Sequence, residues 1–283
     1  MFSVALVALD LSPAALPIVG CLPELLRWGV HRVVLCHVIP IGYTQAALYG
    51  QSEKYVAWLD ARADELRAEG LDVTIAVREG AAPGAEILTA ARDAGADLLV
   101  IGSRAQSMVR SIFLGSVARS AIRSSTIPVL LQWIEPTANA TEVRCETVCR
   151  DTLAHVLLAT DFSRDASRAE ETAVELAQTA TLTDCITVVT GAARGTAPPG
   201  AVMAKASLQA VMDRITKAGG RGEAIVAEGE PVEMILHEAR SRGCTLIIVG
   251  KHGANWVKGA LIGSTAAQLC ERARRPVLVV PSA

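Results

Sequence analysis

Short apolar runs alternate along this chain with longer stretches in which apolar residues recur every three or four positions. Residues 3–9, Val33–Ile39, Val73–Val77, 98–101 and 128–132 read as strands, since compact runs rich in Val, Leu and Ile suit strands buried on both faces. Helical spacing lies between them: over 14–28, up to about Glu69 (Val56, Leu59, Ala63, Leu66), after Pro83 (Ile87, Leu88, Ala91, Ala94) and over 116–124. Pro17 and Pro23 predict a short, kinked or late-starting first helix, and Gly70 and Gly95 are predicted stops. The second half repeats the pattern, with strands over 155–160, 185–190, 223–227, 246–249 and 276–280. Its helices are expected over 165–180, 202–218, 231–242 and 264–272, with Ser163 as a plausible N-cap of the first. Strands alternating with helices of this length predict an α/β fold: right-handed crossovers and a parallel sheet covered on both faces.

One stretch carries the candidate chemistry. Leu246–Val249 ends at Gly250, and Gly253, Gly263 and Ser264 follow in a Gly-x2-Gly-x9-Gly-Ser spacing that leads into helix 264–272. A strand, a glycine-rich loop and a helix N-terminus form an anion-binding arrangement. The first helical turn has backbone N–H groups without intrahelical partners, and glycines let backbone approach a ligand closely. Ser264 and Thr265 would add hydroxyl donors. The same stretch occurs earlier, where Leu98–Ile101 leads to Gly102, Ala105, Gly115 and Ser116. Gly102 and Gly250 are 148 residues apart, as are Gly115 and Gly263 and also Pro128 and Pro276. Each half also opens with a strand ending in Asp, at Asp10 and Asp161. A duplicated domain follows: residues 1–134 and 153–283, joined by a polar linker over 135–152.

Composition narrows the function classes. The chain has 283 residues, 51% hydrophobic, and a formal net charge of −2, enough for two folded cores and without a basic stripe for nucleic acid. No apolar run is long enough to span a bilayer. The apolar N-terminal segment lacks a basic leader region and matches the start of the second repeat, so it is read as fold. Seven cysteines, mostly in apolar patterns, suggest free buried thiols and a cytoplasmic, reducing setting. Cys145 and Cys149, with His155 beyond them, match no strong metal spacing. His37 reads as a satisfied core residue, and Met203 and Met212 as packing on a helix face. There is no Gly-x4-Gly-Lys-Ser/Thr, Gly-x-Ser-x-Gly or His-Glu-x2-His motif, so no hydrolytic centre is visible.

With the Asp after the first strand, the glycine loop and the Pro276–Val279 strand, the chain resembles the universal stress protein family in its tandem two-domain form. That resemblance implies two Rossmann-like open sheets of five parallel strands in the order 3-2-1-4-5. It also implies pairing of domains through their last strands, so that the two repeats would form an internal pseudo-dimer; a homodimer of chains stays open. It further implies an adenine-nucleotide site for ATP or AMP, with Mg2+ as a companion of a triphosphate and no carboxylate assigned to it. Asp161 would help hold adenine, and Val249, Gly250, Gly253, Gly263, Ser264 and Thr265 would cradle ribose and phosphates. Members often close the second strand with Val beside adenine; Val38 stands there in the first repeat and Gly191 is expected there in the second.

The first repeat departs at Ala105, where a Cβ would obstruct a left-handed backbone or a close phosphate. It is therefore expected to be the weaker site, built from Asp10, Val38, Gly102, Gly115 and Ser116. Lys251, His252 and Lys258, like Arg104 and Arg110, either offset phosphate charge or are solvated loop residues; Trp256 packs on its loop or on a ligand. The expected function is nucleotide binding in a stress or regulatory role. A scaffold with vestigial sites and a slow ATPase are the alternatives.

Overall fold

The computed structural model describes residues 1–12, 14–41, 51–103, 114–139, 142–147, 151–190, 201–254 and 261–282. It divides into two compact units, Met1–Arg150 and Asp151–Ala283. In the first, β1 (Val4–Ala8) is followed by α1 (Ala15–Cys21) and a 3-10 helix (Leu22–Trp28). Then come β2 (Arg32–Pro40), α2 (Gln51–Ala68), β3 (Asp72–Gly80), α3 (Pro83–Asp93), β4 (Leu98–Gly102), α4 (Ser116–Ser124) and β5 (Val129–Gln132). All neighbouring strands are parallel, in the order β3-β2-β1-β4-β5. Pro23 sits in the first turn of the 3-10 segment, so the expected interruption is a change of helix type at Leu22. Gly70 and Gly95 take φ +96° and +62° just past their helices, a left-handed backbone that a side chain would strain.

A hairpin completes this unit, β6 (Ile134–Asn139) pairing antiparallel with β7 (Glu142–Thr147). Its residues fall in the stretch read as polar linker. Pro136 argued against a strand there, yet a two-stranded ribbon is all edge and tolerates a missing N–H.

The second unit runs β8 (His155–Ala159), α5 (Ser167–Leu176), β9 (Leu182–Val189), α6 (Ala201–Lys217) and β10 (Ala224–Glu228). It continues with α7 (Pro231–Ser241), β11 (Leu246–Gly250), α8 (Ser264–Arg272) and β12 (Val277–Val280). Its strands are parallel in the order β10-β9-β8-β11-β12. Helices cover both faces of each sheet. Every residue of β4 and of β11 is buried, as unalternating apolar runs require. Met212 joins the core at 4% exposure, whereas Met203, expected to pack, stands 77% exposed beside Val202 at the start of α6. The core side of α6 is Leu208, Val211, Met212 and Ile215, and Met203 falls outside it.

Polar ties hold the N-terminal ends of the strands. The Asp97 carboxylate accepts the N–H groups of Ser3 and Val4 and the Ser3 hydroxyl, which pins β1 to the start of β4. In the second unit Thr245 Oγ1 accepts the His155 N–H at 2.9 Å. Asp184, 3% exposed, accepts the Glu223 N–H at 2.8 Å and faces His155 Nε2 at 2.8 Å and Arg242 at 3.3 Å. Cys36, Cys185, Cys244 and Cys270 are free and buried, and burial pushes the Cys36 and Cys244 thiols up to about 11. Cys21 differs from the expected free thiols: it is disulfide-bonded. Among the described residues no helix is long and apolar enough to cross a membrane.

Replacing Asp184 by Ala leaves His155 Nε2 and the Glu223 N–H, one residue ahead of β10, without this buried acceptor, while Arg242 keeps Glu223 and Glu238. We expect a loss of about 3 kcal/mol of stability, read as a lower urea midpoint at unchanged slope. A stability within about 0.5 kcal/mol of the parent would show the network to be dispensable.

Candidate functional site

At the C-terminal end of β8 the chain turns through Thr160, Asp161 and Phe162. Phe162 is left-handed at φ 58°, as is Leu11 at φ 57° after Asp10 in the first unit. Both turns are closed by the Asp side chain: Asp161 Oδ1 accepts the Ser163 N–H at 3.0 Å, and Asp10 Oδ1 accepts the Ser12 N–H at 3.0 Å. Thr160 Oγ1 accepts the Phe162 N–H at 3.0 Å, and Ser163 Oγ accepts the Ala166 N–H at 3.2 Å, one residue ahead of α5. Ser163 thus supports the helix entry while Ala166 holds the N-cap position itself.

The glycine loop meets this turn. Lys251 N–H donates to Val280 O at 2.7 Å and Gly263 N–H donates to Lys251 O at 2.8 Å, which brings the start of α8 back to the end of β11. Ser103 N–H to Gln132 O and Gly115 N–H to Ser103 O repeat the device in the first unit. The remaining oxygen of Asp161, Oδ2, accepts the Ala254 N–H at 2.7 Å. A Cβ on Gly253 would lie 2.5 Å from that oxygen, and one on Gly250 would lie 3.0 Å from His252 O and 3.3 Å from Ala166 Cα. Close approach, not a left-handed backbone, therefore excludes side chains here: the φ angles of Gly250, Gly253 and Gly263 are all outside the left-handed range. Gly263, the N-cap of α8, has no side chain to cap it, so among the described residues the first-turn N–H groups of α8 are left for another acceptor.

Between the turn and the loop lies a cleft of about 280 Å³. Of the residues singled out from sequence, Asp161, Val249, Gly250, Gly253, Gly263, Ser264 and Thr265 line it together, with Lys251 and His252. Gly191, Ala105, Arg104, Arg110, Trp256, Lys258 and Cys149 lie outside the described residues. The sequence reading missed Thr160, Ile186, Val188, Thr190 and Ile235, which also line it. Strand register also corrects the place given to Gly191. Ala8 pairs with Cys36 and Ala159 with Ile186, so the residue two further on is Val38 in one sheet and Val188 in the other. Gly191 lies three residues beyond that position, because counting through a loop of variable length cannot locate a strand end. The second repeat therefore has the apolar residue that Gly191 was taken to have replaced.

Burial, and for His252 the neighbouring Lys251 charge, hold both cations below their ordinary pKa values. The cleft is thus poised to gain when an anion enters.

A model of the universal stress protein family matches residues 1–131 and 153–281. The chain belongs to the universal stress protein family. Among curated members, it is 33% identical to universal stress protein YxiE of Bacillus subtilis over 73 residues, which is 26% of this chain and 49% of that protein. A family member of Thermus aquaticus is 40% identical over 75 residues, covering 25% of this chain and 55% of the relative. The chain spans about half the length of the curated relatives it matches. The crystal structure of a universal stress protein from Archaeoglobus fulgidus superposes with a TM-score of 0.76 at 24% identity, over 99% of this chain and 96% of that one. That likeness is one of fold, and it extends across both family domains.

In the first family domain Gly102 ends β4, Gly115 is the N-cap of α4, which begins at Ser116, and Val38 is buried in β2. Asp10 Oδ2 is buried and makes no hydrogen bond among the described residues, whereas Asp161 Oδ2 accepts the Ala254 N–H. His37 is a core residue, its Nδ1 2.8 Å from Leu9 O and its ring 4.6 Å from that of Tyr55.

The Asp161 tether is open to a direct check. Asp161→Ala removes a charged acceptor, and exchange of the Ala254 amide with deuterium is expected to speed up about tenfold or more, while core strand amides are unchanged. Unchanged exchange at Ala254 would mean that the carboxylate does not hold the loop.

Proposed function

We propose that the second repeat binds an adenine nucleotide, ATP or AMP, in the cleft between the β8 turn and the start of α8, and that the protein serves as a nucleotide-responsive stress or regulatory protein. The observation that carries this reading is the meeting of the Asp161 carboxylate with a glycine backbone that has no room for a Cβ, beside an uncapped helix N-terminus. Ile186, Val188, Ile235 and Val249 offer a base an apolar wall. Gly263, Ser264 and Thr265 offer phosphate the N–H groups and hydroxyls at the start of α8. Mg2+ would enter on the oxygens of a triphosphate. The first repeat, through Asp10, Val38, Gly102, Gly115 and Ser116, is proposed as a weaker second site.

Titration calorimetry of nucleotide-stripped protein with ATP and with AMP tests the reading. One site per chain is expected, and Gly263→Val is expected to abolish it with the fold intact by circular dichroism. A Cβ there already comes within 3.3 Å of Lys251 O, so branching pushes the loop off its closing bond. Absence of heat with both nucleotides would favour a scaffold role; two sites per chain would show that the first repeat binds as well.

The cations give the reading a pH signature. An anionic phosphate beside Lys251 and His252 favours their protonated forms, so their depressed pKa values rise on binding and protons are taken up. Affinity should therefore increase as pH falls from about 7.5 to about 6, the range around the ordinary histidine value. Calorimetry in buffers of different ionisation enthalpy counts the protons, and His252→Ala should remove most of the uptake near pH 6.

A further inference from the structure

The first repeat supplies an internal control for a buried polar chain in the second. Thr160, 7% exposed, lines the cleft. Its Oγ1 donates to Glu170 Oε1 at 2.7 Å, and Glu170, 8% exposed on α5, receives Arg214 from α6 on Oε2 at 3.3 Å. Thr160 N–H donates to Ile186 O as Leu9 N–H donates to Cys36 O, and the same 151-residue offset that relates Asp161 to Asp10 relates Glu170 to Val19. The first unit thus fills these two places with Leu9 and Val19, 5% and 4% exposed, and makes the same left-handed turn. The fold does not need the Thr160–Glu170 pair, and burying a carboxylate beside a hydroxyl costs more than packing two apolar side chains.

A hydroxyl has one proton and two acceptor positions. Here the proton goes to Glu170, and the Phe162 N–H takes one acceptor position. A carboxylate paired with a guanidinium cannot give a proton back, so Thr160 is left with acceptor capacity alone. Asp161, the next residue along the cleft, is likewise an acceptor. We propose that Glu170 is a positioning residue that locks the Thr160 hydroxyl as an acceptor and so selects a base bearing an amino group over one bearing a carbonyl at the same place. This rests on the reading of the cleft as a nucleotide site, and it makes adenine over hypoxanthine the discriminated pair, since the two differ in the exocyclic 6-amino against 6-oxo group and the proton on N1.

The test is titration of the full chain with ATP and with ITP, for the parent, Glu170→Gln and the double variant T160L/E170V. The parent is expected to prefer ATP about tenfold or more, because a site that leaves a buried acceptor facing a carbonyl rejects that ligand. Glu170→Gln can donate its amide to Thr160 and free the hydroxyl proton, so the ATP to ITP ratio should fall to within about threefold, chiefly through tighter ITP binding. T160L/E170V copies the Leu9 and Val19 pairing of the first unit, should melt at or above the parent temperature, and should lose the preference. A merely structural pair would move the melting temperature and leave the ratio alone. Binding of ATP by the parent with the ratio unchanged in Glu170→Gln would overturn this proposal and spare the nucleotide reading; a parent that binds neither nucleotide would sink both.

Discussion

In a parallel open sheet, the central strands send their following helices to opposite faces, and the ends of those strands cannot both be covered. Here those strands are β8 and β11, neighbours in the sheet. Their C-terminal ends must carry a turn and a loop that meet across a crevice, and the candidate chemistry depends on how they meet. The contact is one carboxylate against one residue without a side chain: Asp161 Oδ2 takes the Ala254 N–H, and Gly253 leaves it room. A Cβ at 253 would collide with that oxygen at 2.5 Å, so the glycine is needed for distance and not for its freedom of backbone angle.

The duplication sets two solutions of the same backbone problem side by side. Strand order, the loop-closing bonds from Gly115 and Gly263, and the left-handed residues Leu11 and Phe162 are common to both units. What differs is the chemistry laid over them. Asp10 has a buried oxygen without a hydrogen bond among the described residues, and the places of Thr160 and Glu170 are held by Leu9 and Val19. A shared turn with different side chains separates what the fold requires from what a ligand would require. Buried polar groups that one copy does without have to be explained by something other than packing.

The opposite ends of the strands have a different task. Asp97 in one unit, and Asp184 with Thr245 in the other, tie strand starts together far from the cleft. Such ties leave the loops at the other end free to diverge, which is how a common sheet supports unlike loops.

The sequence by itself determined the α/β class, the duplication and most strand and helix positions. Those follow from apolar periodicity and from spacings that survive in both halves: helices 116–124 and 264–272 were legible to the residue. It also determined which glycines and which Asp belong to one constellation, because their intervals repeat. Tertiary structure decided everything that depends on register or on approach through space. Val188, not Gly191, holds the place of Val38, since strand pairing sets equivalence and the loops between differ in length. The 134–147 hairpin required two stretches to find each other, and a local reading saw only polar residues and a proline. Thr160 and Glu170 stand ten residues apart, and only the packing of α5 against the strand shows that the two side chains meet.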